Sequence, residues 1–166
     1  MQSQKSDAWL THVAGRLCGD GFEPLPPPSY APSGFTFAAR RSRFELTKFG
    51  MSETFFVFAG IPALDPNVLR GFSNAAFQFA IRSKAVPLPC GFFESVWTFP
   101  VAITSNLDPR MADWLRNTEP PKHWSAGEIP VAFDAATGAL CFYERTPAWG
   151  AAYYAGFRKQ IRAYLG

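Results

Sequence analysis

The sequence predicts an α+β fold, with helices packed on an antiparallel or mixed sheet. Apolar residues alternate with polar ones across Phe35–Ala59, two helical stretches each open with an Asp-Pro pair, and short strand-like runs adjoin one another both before and after those helices. Alternation is typical of half-buried strands, and adjacent strands without intervening helices favour antiparallel pairing. The expected element order is α-βββ-α-β-α-ββ-α.

A single domain, residues 1–166, accounts for the length. The 166 residues fit one domain of ordinary size, and 48% hydrophobic residues, among them 17 Phe, are ample for its core. This composition excludes a disordered chain, a collagen and a coiled coil.

The first part of the chain predicts a helix and a connector. In residues 7–17 the side chains of Trp9, Leu10, Val13 and Leu17 recur at helical spacing, and Gly19 follows as a stop signal. Residues 23–34 are rich in proline, which fixes the backbone in an extended form, so we expect a polyproline-like connector.

Residues 35–59 predict a three-stranded meander. Breaks are expected at Arg40–Ser42 and at Gly50–Ser52, and the apolar run Phe55–Phe58 is typical of a central strand.

The middle of the chain predicts two capped helices around one strand. Asp65-Pro66 and Asp108-Pro109 each combine an N-cap with proline at the first helical position, giving helices to about Lys84 and Asn117. Val96–Ile103 is expected to be a strand, and because Pro100 lacks an N–H, an edge position or a bulge is predicted there.

The last part predicts a hairpin and a helix. Strands at Ile129–Phe133 and Leu140–Tyr143 flank residues 134–138, whose Gly138 suits a turn. A final helix, residues 148–165, places several aromatic side chains on one face.

Charge, cysteines and hydropathy restrict the classes of function. The net charge of +3 is spread over both halves, and Cys18, Cys90 and Cys141 form neither a disulfide framework nor a Cys-x-x-Cys unit. The longest charge-free stretch, Pro24–Ala39, is too short and too rich in proline for a membrane helix. The amino terminus lacks the pattern of a signal peptide, so a cytoplasmic protein with no membrane association is expected.

No organic cofactor and no metal site is predicted, because no phosphate-binding glycine motif is present and neither His12 nor His123 has a ligand at metal spacing. A site made of carboxylates alone stays open as an alternative, with candidates Glu45, Glu53, Asp65, Asp108 and Asp134. Gly71–Ala75 comes nearest to a Gly-x-Ser-x-Gly motif but ends in alanine within a predicted helix, which disfavours a serine hydrolase.

The candidate catalytic residues are Cys90, His123 and Glu128. Cys90 lies in a proline-rich loop before Gly91 and is the candidate nucleophile. His123 would act as its base and Glu128 would orient the imidazole, the arrangement that an activated thiol needs. The corresponding function is a small hydrolase or transferase.

A second hypothesis is nucleic-acid binding by Arg40, Arg41 and Arg43. Aromatic residues alternate with these arginines, as they do in proteins that stack bases of single strands.

The function that we expect first is non-enzymatic binding through an aromatic surface in the C-terminal half. Trp and Tyr are enriched at interfaces and pockets because they bury a large area and keep a polar group. The partner is expected to be another protein or a second copy of this chain, bound as a homodimer. The predicted surface consists of Lys122, Trp124, Trp149, Tyr153 and Tyr154.

Overall fold

The computed structural model describes residues 2–46, 50–85, 91, 93–147 and 151–166, without the side chains of residues 2, 3, 151 and 152. It confirms the α+β class, with five helices and a mixed sheet of eight strands in the described chain. The helices are α1 Gln2–Gly19, α2 Pro27–Tyr30, α3 Pro66–Arg82, α4 Pro109–Asn117 and α5 Ala151–Leu165. The strands are β1 Glu23–Pro24, β2 Phe37–Glu45, β3 Gly50–Gly60, β4 Glu94–Thr104, β5 Lys122–His123, β6 Ala126–Glu128, β7 Val131–Asp134 and β8 Ala139–Phe142.

The sheet combines an antiparallel half with a parallel half. Strands β1, β2 and β3 pair in order and antiparallel. Strand β4 is parallel to β3 on one side, and on the other side it is parallel first to β6 and then to β7. The short strands β5 and β8 add antiparallel to β6 and β7. Helices α3 and α4 supply the crossovers that parallel strands require.

Helices cover both faces of the sheet, because successive side chains of a strand point to opposite sides. Phe55 and Val57 of β3 join the apolar cluster that includes α3 and α4, and we call this side the α3 face. Phe56 and Phe58 join the cluster that includes α1 and α5, which we call the α5 face. Two hydrophobic layers therefore enclose the central strands.

The N-terminal region is more regular than predicted. Helix α1 is longer than residues 7–17, and the expected extended connector is wrong, since residues 27–33 form α2 and a 3-10 turn. Pro27 occupies the first turn of α2, where its missing N–H has no cost, and Tyr30 is buried at the other end. Burial of that ring stabilises the turn within the domain.

Strand β2 runs without interruption through Arg40–Ser42, so the break predicted there is wrong. Alternation sends Arg40 to the α3 face, where it donates to the Ser83 carbonyl at 2.9 Å. Arg41 lies on the other face, with its guanidinium 4.2 Å from the centre of the Phe22 ring and bonded to Asp20 and Tyr164. Each arginine thus has partners that bind its guanidinium group while its backbone lies in the strand.

Pro100 lies inside a central strand, and the expected edge position is wrong. The backbone carbonyl of Thr98 accepts a hydrogen bond from the Ile129 N–H. The backbone of Pro100, two residues on, is directed to the same edge of β4. Its ladder partner would fall at residues 129–130, between β6 and β7, where the pairing is interrupted. The missing N–H of Pro100 therefore coincides with a break in the neighbouring strand.

The two Asp-Pro caps are confirmed. The Asp65 and Asp108 carboxylates each accept two backbone N–H bonds at the start of α3 and α4. The hairpin β7–β8 is also confirmed, with Gly138 at φ 75° in its turn. Strands β5 and β6 were not predicted.

Among the described residues, no helix has both the length and the apolar character needed to cross a bilayer.

Candidate functional site

A cavity of about 320 Å³ opens on the α5 face beside β4 and β6. Trp97 of β4 is aligned with Gly127 of β6, and a Cβ at Gly127 would lie only 2.8 Å from Cζ3 of Trp97. The glycine therefore lets the indole ring lie against the sheet. The cavity lies between this part of the sheet and Tyr153, Tyr154 and Phe157 of α5.

Aromatic rings form most of the cavity wall. The centre of the Trp97 ring lies 4.8 Å from that of Phe157 and 5.8 Å from that of Tyr153, both on α5. Tyr154 and Phe157 are buried, whereas Trp124 at the mouth is 79% exposed. The interior is thus apolar, and the opening carries a large exposed ring.

Polar groups border the cavity at the end formed by β5. Lys122 is aligned with Gly127, so its side chain lies on the cavity side of β5. Its ammonium forms an ion pair with Glu119, and both side chains are partly exposed. The charge of Lys122 is therefore compensated within the chain.

Burial raises the pKa of Tyr154 to about 12, and the nearby Glu119 acts in the same direction. Since an unfolded tyrosine ionises near pH 10, the neutral phenol contributes stability below pH 10 that is lost as the pH rises to 12. We expect a loss of about 2 to 3 kcal/mol over this interval, from two pKa units. Urea titrations of the wild type and Tyr154→Phe at several alkaline pH values measure it, and an equal loss in both proteins would contradict the assignment.

A second polar group lies on the α3 face behind the cavity. The buried Glu128 carboxylate accepts a hydrogen bond from Ser73 Oγ of α3, and its Oε1 lies 3.0 Å from His123 Nε2. The imidazole stacks on Phe77, with ring centres 4.1 Å apart and planes 10° apart. Glu128 thus lies between the serine and the histidine and fixes the orientation of the imidazole.

The structure brings together two of the three predicted catalytic residues. His123 and Glu128 are in contact, as an imidazole base and its orienting group would be. Cys90 lies outside the described residues, and its neighbour Gly91 lines the cavity. The catalytic trio therefore stays a prediction.

Of the predicted aromatic surface, Trp124, Tyr153 and Tyr154 all line the cavity together with Lys122, and Trp149 lies outside the described residues. Sequence reasoning did not assign Trp97 and Phe157 to this surface, nor Ser73 to Glu128. No local motif indicates these contacts, because Ser73 and Glu128 are 55 residues apart. The packing of α5 on the sheet brings Phe157 to Trp97, and the packing of α3 brings Ser73 to Glu128.

The three arginines of the predicted nucleic-acid patch point to different sides of β2. The side chains of Arg40 and Arg41 are 20% and 10% exposed and form ion pairs with Glu23 and Asp20. Arg43 is 61% exposed, with Asp20 at 3.8 Å. The patch thus offers one largely exposed guanidinium, and nucleic-acid binding stays a prediction.

The carboxylates considered for a metal site are dispersed. Asp65 and Asp108 cap helices, Asp134 binds within the β7–β8 turn, and Glu53 accepts the Ala85 N–H at 3.0 Å. Within the described ranges, no three His, Cys, Asp or Glu side chains are grouped in a way that could hold a metal ion.

Comparisons of the chain with models of known protein families, with curated proteins and with solved structures found no match.

Proposed function

We propose that this chain is a ligand-binding domain whose cavity beside β4, β6 and α5 receives a small molecule with an apolar ring system. The observation that carries the proposal is the aromatic cavity of about 320 Å³. Small-molecule pockets have volumes from roughly 300 Å³ upward, and they combine apolar walls with a few polar groups.

The shape of the cavity favours a small molecule over a protein partner. Tyr154 and Phe157 are buried and Trp97 is partly buried, so these rings line a recess and do not form a flat outer face. Trp124 and Tyr153 are exposed at the mouth, where they would cover a bound ring. Face-to-face and edge-to-face contacts between rings add to the gain from burial.

Binding of indole to the purified chain tests the proposal, with affinity measured by ligand-observed NMR titration. We expect Gly127→Ala to weaken indole binding at least tenfold, because the added Cβ displaces the Trp97 ring towards the cavity. Gly156→Ala is the matched control, since it lies on α5 with open space around its Cβ position and should bind as the wild type does.

Either of two results would overturn this function: the absence of indole binding to the wild type, or equal binding to Gly127→Ala. If the wild type does not bind indole and sediments as a dimer, while Gly127→Ala is a monomer, the aromatic residues are assigned to self-association.

A second candidate function, a small hydrolase or transferase, is favoured by the contact of 3.0 Å between His123 and Glu128. An activated Cys90 would react quickly with iodoacetamide at neutral pH, and His123→Ala would slow that reaction. Mass spectrometry of the labelled peptide measures the rate. Labelling of Cys90 only after unfolding would exclude this candidate.

A further inference from the structure

The hydroxyl group of Ser95 lies on the cavity side of β4. Successive side chains of a strand alternate between the two faces of the sheet, so Ser95 shares the α5 face with Trp97, two residues on. Both residues line the aromatic cavity. Because only 6% of Ser95 is exposed, its hydroxyl has little access to bulk solvent.

This hydroxyl lacks a hydrogen-bond partner among the residues that the structure describes. No backbone group or side chain of those residues forms a hydrogen bond with Ser95 Oγ. Ser125, the other serine of the cavity wall, differs in this respect, since its Oγ lies 3.0 and 3.1 Å from the carbonyl oxygens of Gly91 and Glu94. A nearly buried hydroxyl without a partner costs free energy, so a polar atom of a ligand is the expected partner of Ser95.

The charged side chains around the cavity have partners within the chain. Lys122 forms an ion pair with Glu119. His123 and Glu128 also belong to the lining, but their side chains bind each other on the α3 face. A charged ligand would lose its hydration in the cavity without gaining an opposite charge, which disfavours binding. The cavity wall therefore suits an uncharged ligand.

We propose that the ligand is an uncharged aromatic compound with a hydroxyl group, and that Ser95 Oγ binds this hydroxyl while the ring contacts Trp97. This inference rests on the proposed function, because it names the polar group of the same ligand. A serine hydroxyl both donates and accepts hydrogen bonds, and the hydroxyl of a phenol does the same. Ser95 is therefore the residue that selects phenols over hydrocarbons of the same shape.

The test compares p-cresol with p-xylene, which has a methyl group in place of the hydroxyl and otherwise the same shape. Ligand-observed NMR titration at neutral pH gives both dissociation constants. We expect the wild type to bind p-cresol more tightly than p-xylene. Ser95→Ala should reduce this preference about fivefold, with p-xylene binding unchanged. Ser42→Ala removes an exposed hydroxyl from the α3 face of β2, and as the matched control it should keep the full preference.

Two further measurements address the charge of the ligand and the state of the hydroxyl. The anion p-toluate has the same ring with a carboxylate group, and it is expected to bind the wild type roughly tenfold more weakly than p-cresol. The urea midpoint of Ser95→Ala should equal or exceed that of the wild type, because the hydroxyl that is removed has no partner in the free protein.

The outcomes separate the two proposals. If indole does not bind, the proposed function fails. If indole binds but the wild type shows no preference for p-cresol, or Ser95→Ala keeps that preference, the cavity binds ring systems and the inference about Ser95 is wrong. Tighter binding of p-toluate would indicate an anionic ligand held by Lys122 and would also overturn the inference. A lower urea midpoint of Ser95→Ala, or its failure to fold, would mean that the hydroxyl has a structural partner, which contradicts the inference.

Discussion

Phe99→Ala is expected to reduce the free energy of unfolding by about 3 to 5 kcal/mol, as large-to-small substitutions of buried aromatic residues do. Phe99 has no exposed surface, lies on a central strand and stacks on Phe56 with ring centres 4.6 Å apart. The centre of its ring also lies 5.8 Å from that of Phe157 of α5. The substitution therefore leaves a cavity where the sheet meets that helix.

Urea titration monitored by circular dichroism measures the effect. Phe44→Ala is the matched control, because Phe44 is 57% exposed and its loss should change stability by less than about 1 kcal/mol. A similar small change for Phe99→Ala would show that α5 does not pack on the sheet as described.

Lys84→Met has the second largest expected effect, a loss of about 3 to 5 kcal/mol at neutral pH. The side chains of Lys84 and Glu94 are 10% and 0% exposed, so the substitution leaves the Glu94 carboxylate buried without its cation. Methionine keeps most of the apolar volume of lysine, and the loss therefore reports the charge.

A double-mutant cycle provides the control for this prediction. Lys84→Met combined with Glu94→Gln removes the buried charge as well, and should be more stable than Lys84→Met alone. Strictly additive losses in urea titrations would mean that the two side chains do not interact in solution.

Local signals in the sequence predict α3 and α4 well, because their determinants lie within a few residues. The Asp65 and Asp108 carboxylates each accept hydrogen bonds from the N–H groups two and three residues on, so the Asp-Pro pairs locate α3 and α4 directly. The β7–β8 hairpin is equally local, with its turn completed by Gly138. The fold class follows from these elements.

The predictions fail for segments whose structure depends on residues that are distant in the sequence. Arg40–Ser42 has the polarity of a turn, yet its arginines are held in β2 by Ser83, Asp20 and Tyr164. Strand β6 has only three residues, and β4 supplies its pairing. No single-sequence signal records such pairings over long separations.

The candidate site likewise combines residues that the sequence identifies with contacts that it does not indicate. The sequence identifies Trp124, Tyr153 and Tyr154 as functional candidates by residue type, and the contact of His123 with Glu128 involves residues five apart. The cavity itself depends on the alignment of Trp97 with Gly127. This alignment is a product of strand register, which the sequence does not specify locally.

The placement of helices on the sheet also determines the order in which the domain can form during synthesis. The α3 face is covered by helices from the middle of the chain, and these contacts can assemble once residues 23–142 have been made. The opposite face, with Phe56, Phe58 and Phe99, is completed only when α5 leaves the ribosome. Nascent chains therefore expose the part of this aromatic face that α5 covers until residues 151–165 have been made, and such exposed apolar surface favours aggregation and capture by chaperones.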